Sequence, residues 1–110
     1  MARFIKGDVV VIPFPFSDLS GSKRRPAVVI NALPGNDIIL CQITSKSMRD
    51  KFVIEIGRSE FNSGNLPVDS YVRPNKIFTA DLSIIIRKAG SLNKETVTKI
   101  VSTIVEMIEK

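Results

Sequence analysis

The chain has no histidine and no tryptophan, one cysteine and one tyrosine. The missing histidine excludes Ser-His-Asp catalysis, His-paired phosphodiester hydrolysis and His-ligated metal sites together. A lone cysteine, Cys41, excludes an intrachain disulfide and most Cys-based zinc sites. It sits in the apolar run 38–43 with no imidazole to activate it, so it reads as a small buried side chain. No apolar run approaches the ~18 residues of a membrane span. The first six residues are too few and too polar for a signal peptide. The expectation is a cytoplasmic protein with no membrane partner. Internal repeats, linkers and low-complexity tracts are also missing. Chemistry is left to Arg, Lys, carboxylates, hydroxyls and Tyr71.

What is present is an ordinary core and a basic balance. At 110 residues the chain has the size of one domain, 1–110, and 44% of it is hydrophobic. Sixteen Lys and Arg against eleven Asp and Glu give a net charge of +5. That favours a polyanionic partner, with a solvated basic surface as the alternative.

The β-branched run 9–12 predicts a buried strand, ended by the two prolines at 13 and 15. Residues 25–32 predict a second strand and 38–44 a third, joined by the turn-forming Pro34, Gly35, Asn36 and Asp37 as a hairpin. A fourth strand is expected at 52–56. Residues 57–67 are weakly patterned, with a helical turn near 59–63 stopped by Gly64. Short strands at 70–73 and 76–79 are expected to be broken by Pro74 and Asn75. A small strand or turn is expected at 83–88, ended by Gly90. Asn93 is an N-cap, with Leu92 and Val97 at the staple positions. Val97, Ile100, Val101, Ile104, Val105 and Ile108 repeat at helical spacing. This predicts a helix over 94–109, about 24 Å long. Short strands followed by one helix predict a mainly β, α+β fold: a curled antiparallel sheet or small barrel.

Two basic loops stand out. Lys23, Arg24 and Arg25 precede Pro26 at the mouth of the second strand; Lys46, Arg49 and Lys51 follow the third. Proline biases Arg25 toward an extended conformation. Antiparallel pairing of strands two and three sets the start of one beside the end of the other, so Arg25, Thr44 and Ser45 converge. A one-residue slip in register turns a side chain away. Such a cluster suits transesterification of RNA. The ribose 2′-OH is already beside the phosphorus, so proximity is built in. A guanidinium donates two hydrogen bonds to the nonbridging oxygens as charge builds. A hydroxyl orients the phosphate. No metal or cofactor is needed. Asp18 is the loop candidate for a general base. On composition alone, a Lys-Arg-Arg run is more often a solvated loop or a simple nucleic-acid patch than a catalytic site.

Gly-Asp-Val-Val-Val-Ile-Pro-Phe-Pro-Phe-Ser-Asp at 7–18, Lys-Arg-Arg-Pro-Ala-Val-Val-Ile at 23–30 and Gln-Ile-Thr-Ser at 42–45 resemble the PemK/MazF family of toxins. The likeness continues more weakly through Asp69 and Ser70, the segment 77–81 and the C-terminal helix. The resemblance implies an SH3-like barrel with a C-terminal helix, usually as a homodimer. It implies a metal-independent endoribonuclease that cuts single-stranded RNA at short sequences and is neutralised by a small acidic antitoxin. The family's catalytic Arg and Thr match Arg25 and Thr44. Lys23, Arg24, Ser45 and Lys46 are then expected to bind flanking phosphates. Phe16 and Ser20, in the loop between the first two strands, are expected to contact RNA, with Phe16 either stacking on a base or packing the loop onto the barrel. The chain departs from several relatives at Phe78 and in the apolar Phe14 and Phe16, which bears on sequence preference. The rival readings are a non-catalytic toxin of the same fold that inhibits DNA gyrase, and an RNA- or DNA-binding module.

Overall fold

The structure, a computed structural model, describes residues 4–14, 23–46 and 51–110. The elements are β1 (Asp8–Phe14), β2 (Lys23–Ala32), β3 (Asp37–Thr44), β4 (Ile54–Ile56), β5 (Phe61–Gly64), β6 (Ser70–Asp81), β7 (Arg87–Leu92) and α1 (Lys94–Glu109). Two 3-10 turns, at Arg58–Glu60 and Leu82–Ile84, precede β5 and follow β6. The strands form one antiparallel sheet in the order β4-β6-β3-β2-β1-β7-β5. It curls into a nearly closed, SH3-like barrel with one C-terminal helix.

β1, β2 and β3 form where β-branched residues run together, and they are buried on both faces. Val9, Val28, Cys41 and Ile43 join Ile54, Val72 and Leu92 in a cluster covered by Ile100 and Ile104 of α1. The alternate residues, Val10, Ile12, Ala27, Val29, Ile38 and Leu40, make a second cluster on the opposite face. Period-two alternation therefore sends neighbouring residues to two different cores. Asn93 caps α1 by accepting from Thr96 N at 2.8 Å. Leu92 and Val97 both pack in the first cluster, as the staple spacing predicts.

Several boundaries differ from the sequence reading. β1 runs through Pro13, which lies level with Arg24. Pairing with β7 stops at Val11, so beyond it β1 is paired on one side, where proline is tolerated. The fourth strand is shorter than expected, starting at Ile54. β5 follows the 3-10 turn where a helical turn to 63 was expected. β6 is not broken at Pro74; it is one strand of twelve residues. Between Cys41↔Ile77 and Ile43↔Val72, β3 advances two residues while β6 covers five. The excess bulges out around Pro74, whose missing N–H is no loss there. The Cys41 thiol donates to the Arg73 carbonyl at 3.0 Å, so the bulge keeps a partner. Burial pushes that thiol up to about 12, which makes Cys41 structural, as expected.

Gly90 lies inside β7 instead of ending it. It faces Gly64 of β5 in register, and a Cβ at Gly90 would meet the Ser63 carbonyl oxygen at 2.5 Å. Gly7 has φ +97°, and a side chain there would strike Val97 of the helix at 2.8 Å. Its N–H donates to the Val29 carbonyl and its own carbonyl accepts from Leu92 N, so this glycine seats the sheet under α1.

Candidate functional site

β2 carries Arg24, Arg25 and Pro26 in its first residues, and β3 ends at Thr44. The β2–β3 register pairs Ala27 with Gln42 and Val28 with Cys41. Carried on by two residues, it sets Arg25 level with Thr44. Alternation puts both on the face of Ala27 and Gln42. Arg24 takes the other face, with Pro26.

A cleft of about 330 Å3 opens at this end of the sheet. Its floor is a cross-strand row. Val11 of β1 lies between Arg87 of β7 and Pro26 of β2, and Ile43 of β3 continues the row. Ile86 N donates to the Val11 carbonyl at 2.8 Å, fixing the start of β7 against β1. Arg24, Arg25, Arg87, Ser45 and Ser70 supply the polar lining. Leu66, Pro67 and Val68 form the far wall. Buried Ser70 anchors that wall by donating its hydroxyl to the Val68 carbonyl at 3.0 Å.

Among the described residues no carboxylate lines the cleft. The one ion pair among the described residues joins Lys88 to buried Asp8 at 3.3 Å, away from it. Arg24 and Arg87 therefore share the face of the cleft floor, while Arg25 borders the cleft from the other face of β2, and no counter-charge stands among the described lining residues. Such an arrangement attracts an anion, and a guanidinium holds phosphate oxygens in bidentate fashion.

The candidate residues distribute as follows. Arg24 is exposed and Arg25 half-buried, and both line the cleft. Ser45 lines it as well. Thr44 is 7% exposed and is not among the lining residues. Its hydroxyl accepts from Lys46 N at 3.2 Å, which folds the chain back just after β3. Lys46 is exposed beside that turn. Of Lys23 the structure describes the backbone alone. Phe16, Ser20, Asp18 and Arg49 lie outside the described residues. Arg87 and the 66–68 wall were not foreseen from the sequence. Their place depends on β1–β7 pairing and on β6, neither of which leaves a local pattern. Among the described residues no group of His, Cys, Asp or Glu is arranged to hold a metal.

Several solved structures share this fold. MazF from Deinococcus radiodurans is 14% identical, with a TM-score of 0.79 over 100% of both chains. An endoribonuclease from a mycobacterial species, in complex with its cognate antitoxin, is 15% identical, with a TM-score of 0.77 over 97% of this chain and 96% of that one. The Mycobacterium tuberculosis toxin MazF-mt6 is 12% identical, with a TM-score of 0.73 over 93% and 96%. At these identities the likeness is one of fold. No curated protein sequence matches the chain at a significant level. The family model does match, over residues 5–108, and so the chain belongs to the PemK-like, MazF-like toxins of type II toxin–antitoxin systems.

Proposed function

We propose that this toxin is a metal-independent endoribonuclease that cuts single-stranded RNA, mRNA included, at short sequences, acts as a homodimer, and is neutralised by a small acidic antitoxin. The observation that carries the reading is Arg25, level with Thr44 on one face of β2 and bordering a cleft whose floor side holds Arg24 and Arg87, with no carboxylate among its described lining residues. Relatives of the same fold described as endoribonucleases, one of them bound to its antitoxin, add support.

In the proposed reaction the ribose 2′-oxygen attacks the adjacent phosphorus and forms a new O–P bond. The P–O5′ bond breaks. The 2′-proton leaves to a base, and the 5′-oxygen takes up a proton. The products are a 2′,3′-cyclic phosphate and a 5′-hydroxyl. Arg25 donates to the nonbridging oxygens where negative charge grows and supplies a proton donor for the leaving oxygen. Thr44 orients the phosphate. Lys23, Arg24, Ser45 and Lys46 hold the flanking backbone.

The test is incubation of the purified protein with a long natural RNA and a chelator, followed by primer extension and analysis of the ends. Cyclic phosphates at a recurring short sequence are expected. Arg25→Ala is expected to lower cleavage by a factor of about 10²–10³ while the melting temperature holds. An Arg25→Ala protein that cuts at the parent rate overturns the assignment. Salt-dependent RNA binding with no cyclic phosphate makes the chain a binding module instead.

A further inference from the structure

We propose that Arg87 is a substrate-binding residue of this site, taking a phosphate next to the scissile one, with the intervening base against the wall at 66–68. The inference rests on the RNA-cleaving reading above.

Arg87 is the first residue of β7, at a point pinned by the Ile86 N to Val11 carbonyl bond. It lies level with Val11, which itself lies level with Pro26. Arg87 and Arg24, which share this face, are therefore two strand spacings apart across the sheet and two residues apart along it, about 12 Å. That separation suits two successive phosphates on one strand better than a clamp on a single phosphate. Adjacent positions on β7 divide their charges. Lys88 turns to the far side and is neutralised by Asp8. Arg87 stays exposed on the cleft side, with no carboxylate among the described lining residues.

The rest of the cleft suits a base. Val68 is 57% exposed although large and apolar. Pro67 and half-buried Leu66 continue the same surface, and the Ser70 anchor holds it in place. A cleft of about 330 Å3 lies within the range that takes a small ligand or a single nucleotide unit. Cations at one side and a fixed apolar wall at the other are the two requirements of single-strand binding.

The test uses the full chain and an all-2′-O-methyl RNA of the cleaved sequence, which binds and cannot react. Affinity is measured against salt for the parent, Arg87→Gln, Arg87→Met and Val68→Ser. Methionine keeps an apolar stem over Val11, so it serves if the glutamine variant melts early. Both Arg87 variants are expected to bind about three- to tenfold more weakly. Their slope of log K against log salt is expected to shrink by about 0.7, the value for one single-strand phosphate. On cleavable RNA, KM rises and kcat stays near that of the parent. Arg87→Lys restores the slope. Val68→Ser weakens binding with the parent slope. A parent-like slope and KM in both Arg87 variants, beside a parent that binds and cuts RNA, overturns this inference and leaves the proposed function standing. A fall in kcat without a change in slope overturns it too. A parent that neither binds nor cuts RNA overturns the proposed function and this inference together.

Discussion

Thr44 and Ser45 are neighbours in the chain but take different positions at the site. Thr44 is level with Arg25 and buried, with its hydroxyl engaged by the Lys46 N–H. Ser45 is exposed and lines the cleft beside Arg24. The proposed mechanism gives the orienting role to Thr44, so the two substitutions are expected to separate. Thr44→Val, which keeps the branched shape, should lower kcat at least about tenfold, in the range of a lost transition-state hydrogen bond. Ser45→Ala should change KM a few-fold and leave kcat alone. Single-turnover cleavage with saturating protein distinguishes them, and the reverse order of effects moves the hydroxyl role to Ser45. The Arg25–Thr44 relation was legible because it needs two facts a sequence carries: a hairpin between adjacent strands and a period of two. Arg87 was not legible. Its neighbour Val11 lies near the other end of the chain, and no turn or spacing reports a pairing of that kind.

Among the elements, β7 shows why a glycine inside a strand misleads. Gly90 was expected to end a short strand, because glycine is a common stop signal. In the fold it faces Gly64, and the two glycines let β5 and β7 approach more closely than side chains allow. Gly64 has φ +65°, so it also supplies a backbone conformation that other residues avoid. Gly90→Ala is expected to destabilise the protein by about 2–3 kcal/mol by pushing β5 outward against the Ser63 carbonyl. Denaturant unfolding checks this, and exchange of the β5 and β7 amides should rise more than that of β2 and β3. The break expected at Pro74 failed for a related reason. A proline rules out ladder donation, but it does not rule out a bulge, and the Cys41 thiol supplied the bulge with its partner. The α1 helix, by contrast, was legible from cap to last turn, since cap, staple and stripe are local signals.

For the molecule as a whole, both hydrophobic clusters draw on the same three strands. β1, β2 and β3 contribute Val9, Val28 and Cys41 to one face and Val10, Val29 and Leu40 to the other. Neither cluster can melt without taking the other's strands with it, so unfolding should be one transition. Ile100→Ala, at the centre of the helix contact, is expected to cost about 3–4 kcal/mol. Helix-sensitive and aromatic-sensitive signals should shift together by the same midpoint change. A helix that melts separately from the sheet would contradict this account of the core.

The sheet is not fully closed, and its two outer strands are its shortest, β4 with three residues and β5 with four. β5 reads Phe-Asn-Ser-Gly, a poor strand sequence, and ends on a backbone turn. Such borders offer few free amides and carbonyls in a row for another chain to pair with. A protein with long valine- and isoleucine-rich strands thus keeps them in the middle and leaves little for amyloid-like growth at its rim. Self-association by adding strand to strand is disfavoured, and copies of this chain that meet are left to do so through side chains.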